Sequence, residues 1–365
     1  MRASIIGSID RPERIVAIEQ VGQSLIVASS SSAARLERAT LVPLLTDLEI
    51  EDFKQGWAFT ATAMVALDGT TVPLSELVGL SLVRFTPLHE GGFLVAFANE
   101  KDRSAAGVAR IDHQGHVVWM TRATPPATLS GVVSDARASE GWVLKTARPW
   151  TPGWWLIHDG HLGVSGDRAF AVFHDSSGLG LGYGLDLDTG RLVFQTEPAP
   201  WSELCAAPEA GSFLAGVQGY GAFETRLIDR TGAVRRTWPS HGRVVPGEPL
   251  RLIELDNTVP STCRVATLDP SGAVRHGPNL TGYYTSPVIA AADGGSVFWR
   301  DGVLQSLSRD GTRLESLSSV APLQFVSALG GTVPGIIAFA GPLDETPDDR
   351  VRTRTRLFVY ELSAS

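Results

Sequence analysis

Three histidines and two carboxylates are the first residues here whose types and spacing could do chemistry. His158, His161 and His174, with Asp159 and Asp175, are all metal-ligand types. Their setting argues against a metal. His158-Asp159-Gly160 sits between two apolar runs and reads as a hairpin turn. That turn puts His158 and His161 at the far end of a strand from His174, so three ligands do not converge. Asp186-x-Asp188-x-Gly190, with Glu197 at the twelfth position, has the carboxylate spacing of a calcium loop. Its sixth position is Arg191, where the sharp turn needs glycine, and strand residues follow where a helix should start. Gly178, Gly180, Gly182 and Gly184 fail as a dinucleotide site because the run lies between two strands and opens no helix. No metal and no cofactor is expected.

Nucleophilic chemistry has no better footing. There is no Gly-x-Ser-x-Gly elbow, and Ser29 to Ser32 is a plain polar loop. A histidine base with an arginine electrophile remains, His241 with Arg243, and His174 is a further weak candidate. The same spacing occurs in inert loops, so no catalytic residue is assigned.

Strand pairs must position all of these residues. GVARIDHQGHVVWM (Gly107 to Met120) is an apolar run, a turn built on Asp112 and Gly115, and a second apolar run. The pattern returns as MVALDGTTV, GLDLDTGRLVF, RLIDRTGAVR, ATLDPSGAVR and SLSRDGTRL, with glycines at 69, 115, 190, 232, 272 and 311. The steps are 46, 75, 42, 40 and 39, and the step of 75, which contains Gly160, reads as two irregular units. A period near 40 made of strand pairs is the signature of propeller blades. Glycine-introduced strands such as GGFLVAF, EGWVLKT, GSFLAGV and GGSVFW precede most of the hairpins, and a further apolar strand precedes those. Each unit is therefore four antiparallel strands, A to D, with tight turns at A–B and C–D.

The expected fold is all-β: a single closed β-propeller over residues 1–365, of seven four-stranded blades, with six or eight as alternatives. The N- and C-terminal strands are expected to share one blade, since closure removes sheet edges that would pair with other chains. Ala33 to Lys54 is the best helical candidate, interrupted by Pro43, and is otherwise read as a strand with an insertion.

GLDLDTGRLVF and ARIDHQGHVVW resemble the repeat of quinoprotein-like and related bacterial β-propellers, whose hairpins carry an Asp, a Gly two or three positions on, and often a Trp after a short strand. The resemblance implies a propeller of PQQ-like or WD40-like repeats. It spans Met64 to Leu314 and is strong in those two copies. Arg235 and Arg275 stand in blades that lack the aromatic, so regular tryptophan docking is not implied and quinone ligands cannot be mapped by motif. No Gly-His is followed by a Trp-Asp pair in the WD40 manner.

Charge and cysteine content narrow the partners. A net charge of −8 disfavours nucleic acid and anionic membrane surfaces, which attract a basic field. Apolar runs fall far short of the roughly 20 residues that span a bilayer. The N-terminal apolar segment is too short for a signal peptide, and a cytoplasmic location is expected. Cys205 and Cys263 are read as reduced core residues.

Topology sorts the remaining polar residues. The B–C and D–A connections open at one end of every blade, the A–B and C–D turns at the other. The turn aspartates belong to the second end, where a carboxylate shapes its own turn. The first end gathers Arg, His and aromatic residues, Tyr183 and Trp201 among them. The expected ligand-binding set is Arg148, Trp150, His174, Tyr220, His241, Arg243 and Tyr284, converging on one central pocket. The function expected is binding of a peptide, protein or small organic ligand. The alternative is a propeller lyase, hydrolase or cyclase with a His/Arg/Tyr pocket.

Overall fold

The structure, a computed structural model, describes residues 2–74, 77, 81–98, 106–123, 128–134, 143–149, 162–174, 180–207, 209–219, 222–240, 242–245, 250–256, 262–281, 289–290, 295–300, 303–310, 312–319, 329–342 and 355–363. Strand β1 (Arg2–Arg11) opens the chain. It is followed by β2 (Ile15–Val21), β3 (Ser24–Ser29), β4 (Ala33–Glu37) and β5 (Thr40–Leu45), then β6 (Asp52–Lys54), β7 (Trp57–Phe59), β8 (Ala63–Ala66) and β9 (Thr71–Pro73). Next come β10 (Ser81–Pro87), β11 (Phe93–Ala98), β12 (Ala106–Ile111) and β13 (Val117–Ala123), and the pair β14 (Thr128–Ser134) and β15 (Val143–Pro149). Two further groups are β16 (Leu162–Ser165), β17 (Arg168–His174), β18 (Gly180–Asp186) and β19 (Leu192–Gln195), and β20 (Trp201–Ala206), β21 (Phe213–Gly219), β22 (Ala222–Ile228) and β23 (Val234–Trp238). The last groups are β24 (Gly242–Val245), β25 (Arg251–Asp256), β26 (Thr262–Leu268) and β27 (Val274–Thr281), then β28 (Ile289–Ala290), β29 (Ser296–Arg300), β30 (Val303–Leu307) and β31 (Leu314–Ser319). Strands β32 (Leu329–Val333), β33 (Ile336–Pro342) and β34 (Thr355–Ser363) end it.

Each group of four is one antiparallel sheet with its strands in chain order, and β32, β33 and β34 take β1 as their fourth, in the order β1-β34-β33-β32. Strands β1 and β34 pair from Arg2 opposite Ser363 to Arg11 opposite Thr355. Arg356 clamps the pair by donating from Nε and Nη2 to the Asp10 carboxylate at 2.5 and 2.9 Å. The described residues thus form eight four-stranded sheets and one two-stranded sheet, against the seven units that the turn spacing suggests.

Two compact units are present, one of Met1–Thr71 with Gly242–Ser365 and one of Val72–His241. In the first, neighbouring sheets share apolar layers. Ile253 and Val265 meet Phe298 and Leu307, and Val297 and Leu304 meet Ile337 and Tyr360. Ala338 and Val359 meet Ile18 and Val27, and Ile26 and Ala28 meet Phe53 and Ala58. A buried charge joins one pair of sheets: Arg251, fully buried, donates from Nη1 to the Ser308 carbonyl at 2.8 Å.

In the second unit, Leu94, Ala96 and Val108 lie against Ala169, Phe173 and Leu185, and Phe170 and Val172 lie against Trp201, Phe213 and Val217. The β10–β13 sheet therefore contacts the β16–β19 sheet directly. The β14–β15 hairpin does not stand between them. Among the described residues the 75-residue step holds two sheets, the β14–β15 pair and the four-stranded β16–β19 sheet. Gly160 lies outside the described residues.

Ala33 to Lys54 is also corrected. It is neither a helix nor an insertion but three strands, β4, β5 and β6, in two sheets. The hydrogen bonds of β4 to β3 override the weak helical periodicity, Arg38 turns the chain at φ 53°, and Pro43 is tolerated because β5 is an edge strand. Cys205 and Cys263 lie on β20 and β26, in different units.

Candidate functional site

The two ends of the sheets differ in what their side chains are already doing. At the C–D turns every described aspartate of the repeat accepts hydrogen bonds from its own turn. Asp68 takes the Thr70 amide at 2.9 Å, Asp112 the Gln114 and His116 amides at 2.8 and 2.9 Å, and Asp269 the Ser271 amide at 2.8 Å. Asp186 takes the Thr189 amide and hydroxyl at 3.1 and 2.8 Å. Asp229 takes the Thr231 amide and hydroxyl at 2.8 and 2.6 Å, the Ala233 amide at 3.0 Å, and an ion pair with Arg235. The turn glycines at 69, 115, 190, 232 and 272 all have positive φ. Asp and Gly are thus a single local device: one accepts the turn's amides, the other supplies its left-handed residue.

These contacts set the ionisation. Burial pushes the Asp229 carboxyl up, and the bonds from Thr231, Arg235 and Ala233 outweigh it and bring it down to about 2. The Ser308 hydroxyl and the Thr312 amide and hydroxyl hold Asp310 down to about 2. Hydrogen bonds from Thr189 lower Asp186, those from His116 and Gln114 lower Asp112, and those from Thr70 lower Asp68. All are fixed anions with their oxygens engaged within the turn. Among the described residues no group of three or more His, Cys, Asp or Glu side chains is placed to hold a metal ion.

At the other end, His174 is the last residue of β17 and 5% exposed. Its Nε2 lies 2.7 Å from the Trp201 carbonyl of the next sheet, so the ring donates there as the Nε2–H tautomer. His174 fastens one sheet to the next. Trp201, first residue of β20, is 5% exposed, and the Arg226 guanidinium lies 5.4 Å from its ring centroid. Glu224 accepts from Nε of Arg226 at 2.6 Å and pairs with Nη2.

His174, Trp201, Glu224 and Arg226 therefore form one chain of contacts in the second unit, with His174 and Trp201 at the B–C/D–A end and Arg226 mid-strand on β22, opposite Ala215 and Thr237. Sequence reasoning missed Glu224 and Arg226. The signal was there: two ionisable residues two apart on a strand, Glu224 and Arg226, point to one face.

The other expected residues are placed as follows. Arg148 is the sixth residue of β15, opposite Leu129 on β14, and Arg243 is the second residue of β24, opposite Ile253 on β25. Trp150, Tyr220, His241 and Tyr284 lie outside the described residues, as do His158 and His161. Tyr183 is not in a connection. It is central in β18, 4% exposed and edge-on to Phe173 at 5.7 Å, and burial pushes its hydroxyl up. No described helix is long and apolar enough to cross a membrane.

No protein family matches the chain, and no curated protein matches it in sequence. Solved structures do. The chain is similar to the quinohemoprotein alcohol dehydrogenase of Comamonas testosteroni at 11% identity and TM-score 0.59, covering 100% of this chain and 77% of that one. It is similar to quinohemoprotein alcohol dehydrogenase ADHIIG of Pseudomonas putida HK5 at 10% identity and TM-score 0.53, covering 100% and 77%. It is also similar to the Cps50 (Swd1) β-propeller domain of Myceliophteria thermophila at 12% identity and TM-score 0.49, covering 99% and 100%. At these identities the likeness is one of fold. The chain is an all-β protein of propeller type, built of four-stranded antiparallel sheets.

Proposed function

We propose that this protein is a binding protein that holds a peptide, a protein segment or a small organic molecule at the B–C/D–A end of its sheets, and that it performs no chemistry on it. The observation that supports this is the unequal use of the two ends. The turn carboxylates are consumed by their own turns, while away from the turns the Arg226 guanidinium lies over the buried Trp201 ring, behind the B–C/D–A end, and Arg and aromatic residues are the types that dominate binding energy. Arg148, Trp150, Tyr220, His241, Arg243 and Tyr284 are the proposed direct contacts, and His174 acts through Trp201. A catalytic role for His174 has little support, because its Nε2 is engaged by a backbone carbonyl.

The test is a peptide array of varied charge read by fluorescence polarisation. Arg226→Ala, Arg148→Ala and Arg243→Ala should each weaken a captured ligand about tenfold, and Asp112→Ala should leave binding intact. Affinity for acidic ligands should fall as salt rises, since exposed charges are screened beyond about 10 Å at 0.1 M ionic strength. Binding that survives all three arginine variants, or is lost with Asp112→Ala, refutes the reading.

A further inference from the structure

Asp229 and Glu254 are the buried carboxylates among the described residues, and their surroundings differ. Asp229 answers to the amides of its own turn. Glu254 stands inside strand β25, in the first unit, and is met by side chains from the next two strands. Arg264 on β26, directly opposite, pairs with its Oε2 through Nε, and His276 on β27 brings Nδ1 to 3.3 Å from the same oxygen. His276 reaches it over Ala266, its small cross-strand neighbour, and a bulge in the β26–β27 pairing lies between that pair and Arg264.

Stability does not explain the arrangement. A carboxylate taken out of water costs free energy that its partners only return, and well-packed apolar residues would serve the sheet as well. What sets the trio apart is that the anion is buried while its partners are not. The Arg264 and His276 side chains are 47% and 42% exposed. One oxygen gathers both heads, so their outer edges meet solvent as neighbours. Glu254 is a brace beneath a pair of donors.

We infer that Arg264 and His276 bind the phosphoryl group of a small organic phosphate. A guanidinium fork matches the two oxygens of a carboxylate by itself, whereas a phosphoryl group offers a third oxygen, which the imidazole takes. With the Nδ1 proton directed at Glu254, Nε2 donates only in the imidazolium form, so His276 binds the anion as a cation. Glu254 and Arg264 are the charged groups that face His276 from β25 and β26 among the described residues. The bound state then sets two cations against one carboxylate, a local positive charge on a chain whose net charge of −8 disfavours nucleic acid and anionic membranes. That combination selects a small ligand. A metal ion does not fit, because Arg264 occupies the oxygen that would bind it. None of the three residues is among the contacts proposed for a peptide, so the two readings stand or fall separately.

Histidine Cε1 1H–13C correlation spectra of the full chain test this, with inorganic phosphate as the probe at constant ionic strength and about pH 6, where free imidazole is largely protonated. The peak that His276→Gln removes should shift saturably, with half-saturation at about 1–5 mM. Acetate, lacking the third oxygen, should bind at least about tenfold more weakly. Arg264→Gln should weaken phosphate about tenfold or more. Arg264→Lys keeps the charge that balances Glu254 and loses the fork; it should weaken phosphate about fivefold, and it stands in where Arg264→Gln fails to fold. Arg313→Gln, at the turn before β31, should leave binding as it was. A His276 peak that shows no saturable shift up to about 100 mM phosphate overturns the inference. So does acetate that binds as well as phosphate, or phosphate binding indifferent to both Arg264 variants.

Discussion

At the joint between the β10–β13 and β16–β19 sheets, the Trp119 ring lies on Gly190 of the neighbouring C–D turn. At the next joint, between β16–β19 and β20–β23, the Phe194 ring lies on Gly232 of the turn that follows. Both glycines have positive φ, 68° and 88°, and a Cβ on either would intrude on the ring. The steric device is shared, and the polar chemistry is not.

Indole can donate, and Trp119 Nε1 gives a hydrogen bond to the Leu187 carbonyl at 3.0 Å. Arg110 Nη1 reaches the same carbonyl and Asp188, each at 3.0 Å, and the Thr121 hydroxyl donates to the Gly190 carbonyl at 2.5 Å. Phe194 has no donor. Its joint is held by Phe170 stacked on Phe213 at 5.2 Å and 27°, by the Gly211 amide on Ser165 Oγ at 3.0 Å, by Arg230 on Asp167 at 2.9 Å, and by His174 on the Trp201 carbonyl. The fold needs a ring on a glycine. The remaining adhesion is distributed as local chemistry permits.

The sharpest way to break this pattern is at the glycines. Gly190→Val and Gly232→Val should each cost about 3 kcal/mol or more, combining a β-branched residue at positive φ with ring overlap. Urea unfolding would measure it, and a loss under about 1 kcal/mol would mean that the rings do not sit as described. Combining Gly190→Ala with Trp119→Ala should recover part of the steric loss, a coupling that Phe194→Ala should not produce at Gly190.

Smaller effects separate the two joints. Phe170→Leu should cost about 1–2 kcal/mol through the lost stack. Trp119→Phe should cost about 1 kcal/mol by removing one hydrogen bond whose acceptor keeps Arg110.

Acid should act mainly through the turns. Asp229 and Asp310 are held at about 2, below their unfolded value of about 3.9. Their contribution is therefore complete above about pH 4 and is lost as pH falls towards 2. Asp229→Ala should cost about 1–2 kcal/mol at pH 7 and flatten the acid limb of stability. Asp112→Ala, at an exposed turn, should have the smallest effect of the series. An unchanged acid limb in Asp229→Ala would remove the turn carboxylates from the account.

The repeat of Asp and Gly near every 40 residues was legible because turn chemistry is local. A carboxylate two to four residues before its amides and a glycine at positive φ need no distant partner. The same local reading assigned four strands per unit. It misjudged Ala33 to Lys54, where a weak helical period lost to pairing with β3. Trp119 and Phe194 could be seen in the sequence as aromatics after a turn, but not as rings resting on Gly190 and Gly232, 71 and 38 residues further on.

The candidate site divides along the same line. His174 and Trp201 stood out by residue type, while Arg226, Glu224 and the bond from His174 to Trp201 exist only because adjacent sheets bring β17, β20 and β22 together. Sequence by itself determined where the chain turns and how its strands are grouped, because those depend on hydrogen bonds within a few residues. Only the tertiary structure decided which sheets touch and which histidine is consumed in holding them. Those outcomes depend on contacts between residues far apart in the chain, whose pairing no local pattern encodes.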